Sequence, residues 1–158
     1  MILLHSIGNS EHSNVNSIEE IKNSKGTLTF DGVYKSVYDN REILADRDVI
    51  LLVMGDYVGK DNSFDKGRHY HEEYCTWKQI REMNFKIGWH TWSHKDLTLL
   101  SDEELKNELT PPFKMDYIAY PHGKFDDRVI EEAKKHFKFG LSVDKGDNSD
   151  FQIKRKYL

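Results

Sequence analysis

Short apolar runs alternate along this chain with segments whose hydrophobic residues recur every three or four positions, the pattern of repeated strand and helix units. The runs predict strands at Ile2–His5, Thr27–Phe30, Val49–Met54, Lys86–Trp89, Tyr117–Tyr120 and Phe139–Ser142. Val37, Ile43 and Leu44 predict a helical face after Gly32, running to Asp48. Tyr74, Trp77, Ile80 and Met83 predict another from about Tyr70 to Asn84. Ser101-Asp102-Glu103-Glu104 has the form of a capping box opening a helix to Leu109, where Pro111-Pro112 ends it, and Asp126 or Asp127 opens a last one through His136. The segment Gly55–Gly67, rich in Asp, Asn, Ser and Gly, reads as a long functional loop. Six strands with helices between them fit either an open doubly wound sheet or a small, incomplete βα barrel, and periodicity alone does not choose.

Composition narrows the class. At 158 residues the chain reads as a single domain, 1–158, and its hydrophobic share of 37% supports a folded core. The net charge of -4 carries no basic stripe, so nucleic acid is not an expected partner, while a neutral or zwitterionic ligand is allowed. One cysteine, Cys75, makes an intrachain disulfide impossible and reads as helix filler. No stretch has the roughly 20 apolar residues of a membrane span. The short apolar start Met1–Leu4 has no basic segment and meets His5 at once, which predicts a cytoplasmic chain.

Chemistry concentrates where strands end. His90 and His94, four apart in Gly88-Trp89-His90-Thr91-Trp92-Ser93-His94, have a spacing at which two imidazoles can converge on one divalent ion. Leu3-Leu4-His5, Thr29-Phe30-Asp31-Gly32 and Tyr120-Pro121-His122-Gly123 each set an ionisable or turning residue after another strand. Parallel strands bring such ends to one edge, so the four segments form one candidate pocket. The plainer readings are a polar strand end for His5, a helix cap for Asp31 and loop positions for the histidines. His69-Tyr70-His71 has metal-capable spacing but sits in or beside the long loop with no matching acid, and surface exposure is expected. Trp89 and Trp92 are open to either a core role or a glycan groove.

Over nearly its whole length the sequence resembles the polysaccharide deacetylase family, the NodB homology domain of carbohydrate esterase family four. Thr29-Phe30-Asp31-Gly32 followed by Tyr34-Lys35-Ser36 is similar to the family's first motif, Thr-Phe-Asp-Asp-Gly; Gly88 to His94 with Leu97 and Leu100-Ser101 resembles the second; Ala119-Tyr120-Pro121-His122-Gly123 resembles the third. The final Leu-x-His motif stands at the N-terminus as Leu3-Leu4-His5, the order of the circularly permuted branch that includes poly-N-acetylglucosamine deacetylases. The resemblance implies an α/β fold, a distorted, incomplete (β/α) barrel, and a metal-dependent hydrolase that removes acetyl groups from an N-acetylated or O-acetylated sugar or glycan. It implies His90 and His94 as ligands of Zn²⁺ or another divalent metal, Asp31 as general base, His5 as general acid and the His122 N–H as an oxyanion donor. Arg155 is a candidate for the arginine that orients the active-site carboxylate in some members, against a surface arginine.

One departure bears on all of this. The family's second motif-one aspartate, its third metal ligand, is Gly32 here. An ungapped alignment leaves Asp31 as base with two histidine ligands; with one residue deleted, Asp31 becomes the ligand and the base is missing. The alternative expectation is therefore an impaired deacetylase-fold domain that binds carbohydrate without turnover.

Overall fold

A computed structural model describes residues 1–8, 15–63, 71–143 and 145–158. Its strands are β1 (Ile2–Leu4), β2 (Ser6–Ile7), β3 (Val15–Asn16), β4 (Leu28–Asp31), β5 (Val49–Val53), β6 (Lys86–Trp89), β7 (Tyr117–Ala119), β8 (Phe139–Val143) and β9 (Ile153–Tyr157). Its α-helices are α1 (Ile18–Asn23), α2 (Lys35–Asp39), α3 (Trp77–Glu82), α4 (Asp102–Leu109) and α5 (Asp127–Ala133). Strands β1, β4, β5, β6, β7, β8 and β9 close into a barrel, with β1 paired to both β4 and β9, and every pairing is parallel. The sheet is therefore a barrel rather than an open doubly wound array, with one strand fewer than the eight of a complete (β/α) barrel. The N-terminal strand fills the gap between the last strand and β4, as the permuted motif order implies. Among the described residues no helix is long and apolar enough to cross a membrane.

The strands read as unbroken apolar runs because both of their faces are buried. In β5, Val49, Leu51 and Val53 face the helices and pack with Val37, Leu44, Ile80, Leu105 and Val129. Ile50 and Leu52 face inward and meet Ala119 and Leu141. The inward layer is tight at Gly88, where a Cβ would stand 2.8 Å from Leu52 Cδ2 and 3.0 Å from Tyr117 Cβ.

Several elements differ from expectation. The helix predicted from about Tyr70 begins at Trp77, because Thr76 and Gln79 form a reciprocal capping box that fixes its start. Tyr74 instead bridges Tyr34 in antiparallel sense, and Cys75 is a buried residue of that bridging segment, its thiol donating to the Tyr34 carbonyl at 3.4 Å. The helix expected to reach Asp48 stops at Asp39 and resumes as a 3₁₀ turn at Arg41–Leu44. Of the loop Gly55–Gly67, Gly55–Tyr57 is a 3₁₀ turn and Asp61 bridges Glu73; residues 64–67, with His69 and Tyr70 beyond them, lie outside the described residues. His71 is exposed, as expected. Strand β9, absent from the six expected, reads Ile-Lys-Arg-Lys-Tyr and carries no apolar run.

Gly88→Ala is expected to destabilise the fold by about 1–3 kcal/mol through overpacking of the barrel interior. Thermal and urea unfolding of the variant check this.

Candidate active site

The barrel collects its ionisable side chains at the C-terminal ends of its strands. Asp31 ends β4, His5 follows β1, His90 follows β6 and His122 lies just beyond β7. The His90 N–H continues the sheet to Val53 O at 2.8 Å, after which Thr91 (φ 66°) and His94 (φ 58°) turn the chain through left-handed backbone, with Thr91 Oγ1 accepting the His94 N–H at 3.0 Å. That turn brings the His94 ring to 4.7 Å from His90, centroid to centroid. Pro121 fixes the third turn, and His122, also left-handed at φ 58°, sets its ring 4.6 Å from His94. The turn's hydrogen bonds run from Gly123 N to Tyr120 O and from Lys124 N to Pro121 O, and neither uses the His122 N–H.

The structure thus brings His5, Asp31, His90, His94 and His122 to one cavity of about 510 Å³. Its remaining wall is Tyr34, Met54, Tyr57, Tyr74 and Ser93. Sequence reading missed that wall, since Tyr74 passed as part of a helical face. It does carry a signal, because Tyr34 stands beside motif one and Tyr57 just past β5. Tyr34 and Tyr74 stack at 4.4 Å with their hydroxyls 2.9 Å apart. Trp89 is fully buried and Trp92 packs against the core, their indole N–H groups donating to the carbonyls of Glu108 and Thr110. Neither tryptophan lines this cavity.

Arg155 is no surface residue. It projects from β9 with no exposure and grips Asp31 with a bidentate fork, Nη1 to Oδ1 at 2.5 Å and Nη2 to Oδ2 at 3.0 Å. Its Nη1 also donates to Thr29 Oγ1 and its Nε to Ser142 O. Burial by itself would raise the Asp31 pKa, but the Arg155 guanidinium, with smaller help from His90, outweighs it and holds the carboxyl well below the usual range. Asp31 is therefore ionised, and both of its oxygens are engaged.

His90 and His94 stay neutral. Burial pushes His90 below its ordinary value, against the pull of Asp31, whose Oδ2 lies 3.6 Å from Nε2. Burial, with His90 and His122 beside it, brings His94 down to about 3. His90 Nδ1 lies 2.8 Å from the Ala119 carbonyl, which only accepts, so the proton is on Nδ1 and Nε2 presents its lone pair. That is how a metal-binding imidazole is usually oriented. Among the described residues, however, no group of three His, Cys, Asp or Glu side chains is disposed to hold an ion. Gly32 offers no side chain, and a Cβ there would stand 3.1 Å from Tyr74 Cε1 and 3.3 Å from Met54 Cε. Two neighbouring imidazoles are the donors available to a divalent ion here, short of the three protein ligands of a catalytic zinc site.

A closed parallel barrel with its titratable groups at the strand C-termini has the architecture of the (β/α)-barrel enzymes. The chain belongs to the polysaccharide deacetylase family, whose model matches residues 20–137, a span that holds Asp31, His90, His94 and His122 and leaves out His5 and Arg155. The sequence matches no curated protein. Among solved structures it is similar to the Streptococcus pyogenes deacetylase PplD in complex with acetate, with a TM-score of 0.76 and 18% identity over 99% of this chain and 90% of that one. It is also similar to the polysaccharide deacetylase BC0361 from Bacillus cereus, with a TM-score of 0.74 and 19% identity over 99% of this chain and 63% of that one. IcaB from Ammonifex degensii has a TM-score of 0.73 and 18% identity over 99% of this chain and 90% of its own. At these identities the likeness speaks for the fold.

Arg155→Met is expected to cost about 3–5 kcal/mol, because it strands a buried carboxylate, whereas Arg155→Met with Asp31→Leu costs less than Arg155→Met alone. Urea unfolding of the variants completes the cycle. The neutral histidines give a second expectation, for the metal-free protein. Between pH 6.5 and 3 the unfolded chain protonates a histidine that folded His94 keeps neutral, so stability falls as pH falls across that window, by at most about 1.4 kcal/mol per unit for each such group. Unfolding free energies at pH 7 and pH 5 check it, and His94→Gln is expected to flatten the slope.

Proposed function

We propose that this chain removes acetyl groups from an N-acetylated or O-acetylated sugar or glycan. The observation that carries the reading is the gathering of Asp31, His5, His90, His94 and the His122 turn at one cavity, from four separate strand ends. The tyrosines and Met54 offer aromatic and apolar surface to the C–H faces of a sugar ring. A narrower recess of about 140 Å³ runs from the same histidines to Leu3, Tyr120 and Val143, whose apolar side chains suit an acyl methyl group.

In this reading Asp31, ionised and fixed by Arg155, accepts the proton of the attacking water. A carboxylate held so far down is a weak base, which sets a demand for an acidified water; a divalent ion such as Zn²⁺, held when bound by His90 and His94, supplies that acidity and polarises the carbonyl. The His122 N–H, outside its own turn's hydrogen bonds, donates to the developing oxyanion. His5, which lines the recess beside Tyr157, gives its proton to the departing amine or alcohol. The second reading, a domain that binds acetylated glycan without turnover, is favoured by one observation, that among the described residues no third protein ligand joins His90 and His94.

Acetate release from chito-oligosaccharides and O-acetylated glycans, with and without added zinc, tests the two readings. Turnover that falls by about 10²–10⁴ in Asp31→Asn and in His5→Ala supports the hydrolase. Micromolar glycan binding with no acetate release under any metal supports the binding domain. Zinc affinity is expected to be weaker than that of a three-ligand site and to vanish in His90→Ala with His94→Ala, which equilibrium dialysis checks.

A further inference from the structure

Helix α4 ends on a carboxylate that nothing in helix packing calls for. Glu108 is 8% exposed, lies in the last turn of the helix, and faces the negative end of the helix dipole, where an acidic side chain is disfavoured. Among the described residues it forms no ion pair with a Lys, Arg or His; Leu105 and Leu109 of the same helix fill the core beside it. A buried carboxylate persists when hydrogen bonds replace its water. Glu108 finds all of them in one place: Oε2 accepts the Trp92 N–H at 2.9 Å and the Ser93 N–H at 3.0 Å, and Oε1 accepts the Ser93 hydroxyl.

These contacts fall on the two residues directly before His94. The same loop runs left-handed at Thr91 and His94, a conformation that non-glycine residues keep only when their surroundings over-determine it. The Glu108 carbonyl also receives the Trp89 indole N–H at 2.8 Å, so one residue of α4 anchors the loop on both sides of His90. On the other flank, the loop carbonyls of Thr91 and Trp92 accept the N–H groups of Gly55 and Asp56.

We infer that Glu108 is the positioning residue of this site, holding Trp92 and Ser93 so that His94 stays turned into the cavity. The inference rests on the deacetylase reading for its consequence in catalysis, and on geometry alone for its consequence in structure. Glu108→Gln keeps an acceptor oxygen for the two N–H groups and an amide for the Ser93 hydroxyl. Glu108→Met keeps the buried volume and removes the acceptors.

Two readouts on the full chain test it: the imidazole nitrogen resonances of His94 in the metal-free protein, and kcat and KM for acetate release from an acetylated chito-oligosaccharide. Glu108→Met is expected to move the His94 resonances toward those of a solvated imidazole and to lower kcat at least tenfold with KM within twofold, while Glu108→Gln stays within threefold of the parent. A folded Glu108→Met with parental His94 resonances, or a Gln variant as impaired as the Met variant, overturns the assignment. If Glu108→Met does not fold, Ser93→Ala is measured: a His94 shift in the same direction supports the assignment, and parental resonances overturn it. If the parent releases no acetate, the deacetylase reading fails, and the His94 resonances still decide the role of Glu108.

Discussion

The ion pair between Asp31 and Arg155 is the constraint on which the rest of the site depends. It joins the first long strand of the barrel, β4, to the last, β9, across β1, linking positions 124 residues apart. Burying two charges costs several kcal/mol apiece, and only a geometry that satisfies both makes that tolerable. Here the guanidinium meets both carboxylate oxygens, Thr29 Oγ1 and the Ser142 carbonyl, so strands β4, β8 and β9 must all be in register at once. The pair therefore fixes the geometry of barrel closure and the charge of the site together. Asp31 stays ionised, and with its oxygens taken it approaches His90 Nε2 at 3.6 Å without displacing anything.

This constraint also sorts the cavity's groups by role. A carboxylate locked by arginine is poorly suited to swing onto a metal, because doing so would leave a fully buried guanidinium with its main partner gone. His90 and His94 are the softer elements: neutral, set at a strand end and its turn, and placed by the Ala119 carbonyl and loop hydrogen bonds. The two alignments open at the sequence level differ in what Asp31 does, and its bidentate engagement by Arg155 favours the base over the ligand. The price is basicity, since the same guanidinium that keeps Asp31 in place lowers its pKa.

Much of this was legible in the sequence because it is local. A histidine or aspartate after a run such as Ile-Leu-Leu or Leu-Thr-Phe announces a strand end, and parallel strands put all such ends on one edge. His5, Asp31, His90, His94 and the His122 turn were reachable that way, while the displacement of one strand to the N-terminus was implied by the family resemblance. What periodicity could not show is long-range or inverted. Strand β9 presents a basic alternation because its inward residue is Arg155, whose burial makes sense only with Asp31 opposite. Tyr74 keeps helical spacing with Trp77 and Ile80, yet the Thr76 cap places it outside the helix and against Tyr34. Glu108 looks like one more surface acid of an acidic helix, and only the fold shows what it holds.

Gly32 and Val33 carry the remaining argument. Both adopt left-handed backbone, at φ 93° and φ 53°, and the second is a β-branched residue for which that region is a genuine outlier, costing about 1–3 kcal/mol. The turn is held from both sides, by Gly32 N donating to Leu52 O at 2.9 Å and by Val33 O accepting the Cys75 N–H at 2.9 Å, and Val33 is buried in the core. The family motif sets its glycine one position later, where Val33 stands. In the ungapped alignment, glycine thus stands at the position of the family's second aspartate, and valine bears the strain at the position of its glycine. Tyr74 and Met54 now crowd the space beside Gly32, so a carboxylate there would need a shift of those neighbours as well as a new residue. The packed turn and its tyrosine wall thus oppose a side chain at Gly32, and the groups that the barrel does bring to the cavity are Asp31 with its arginine and the imidazoles.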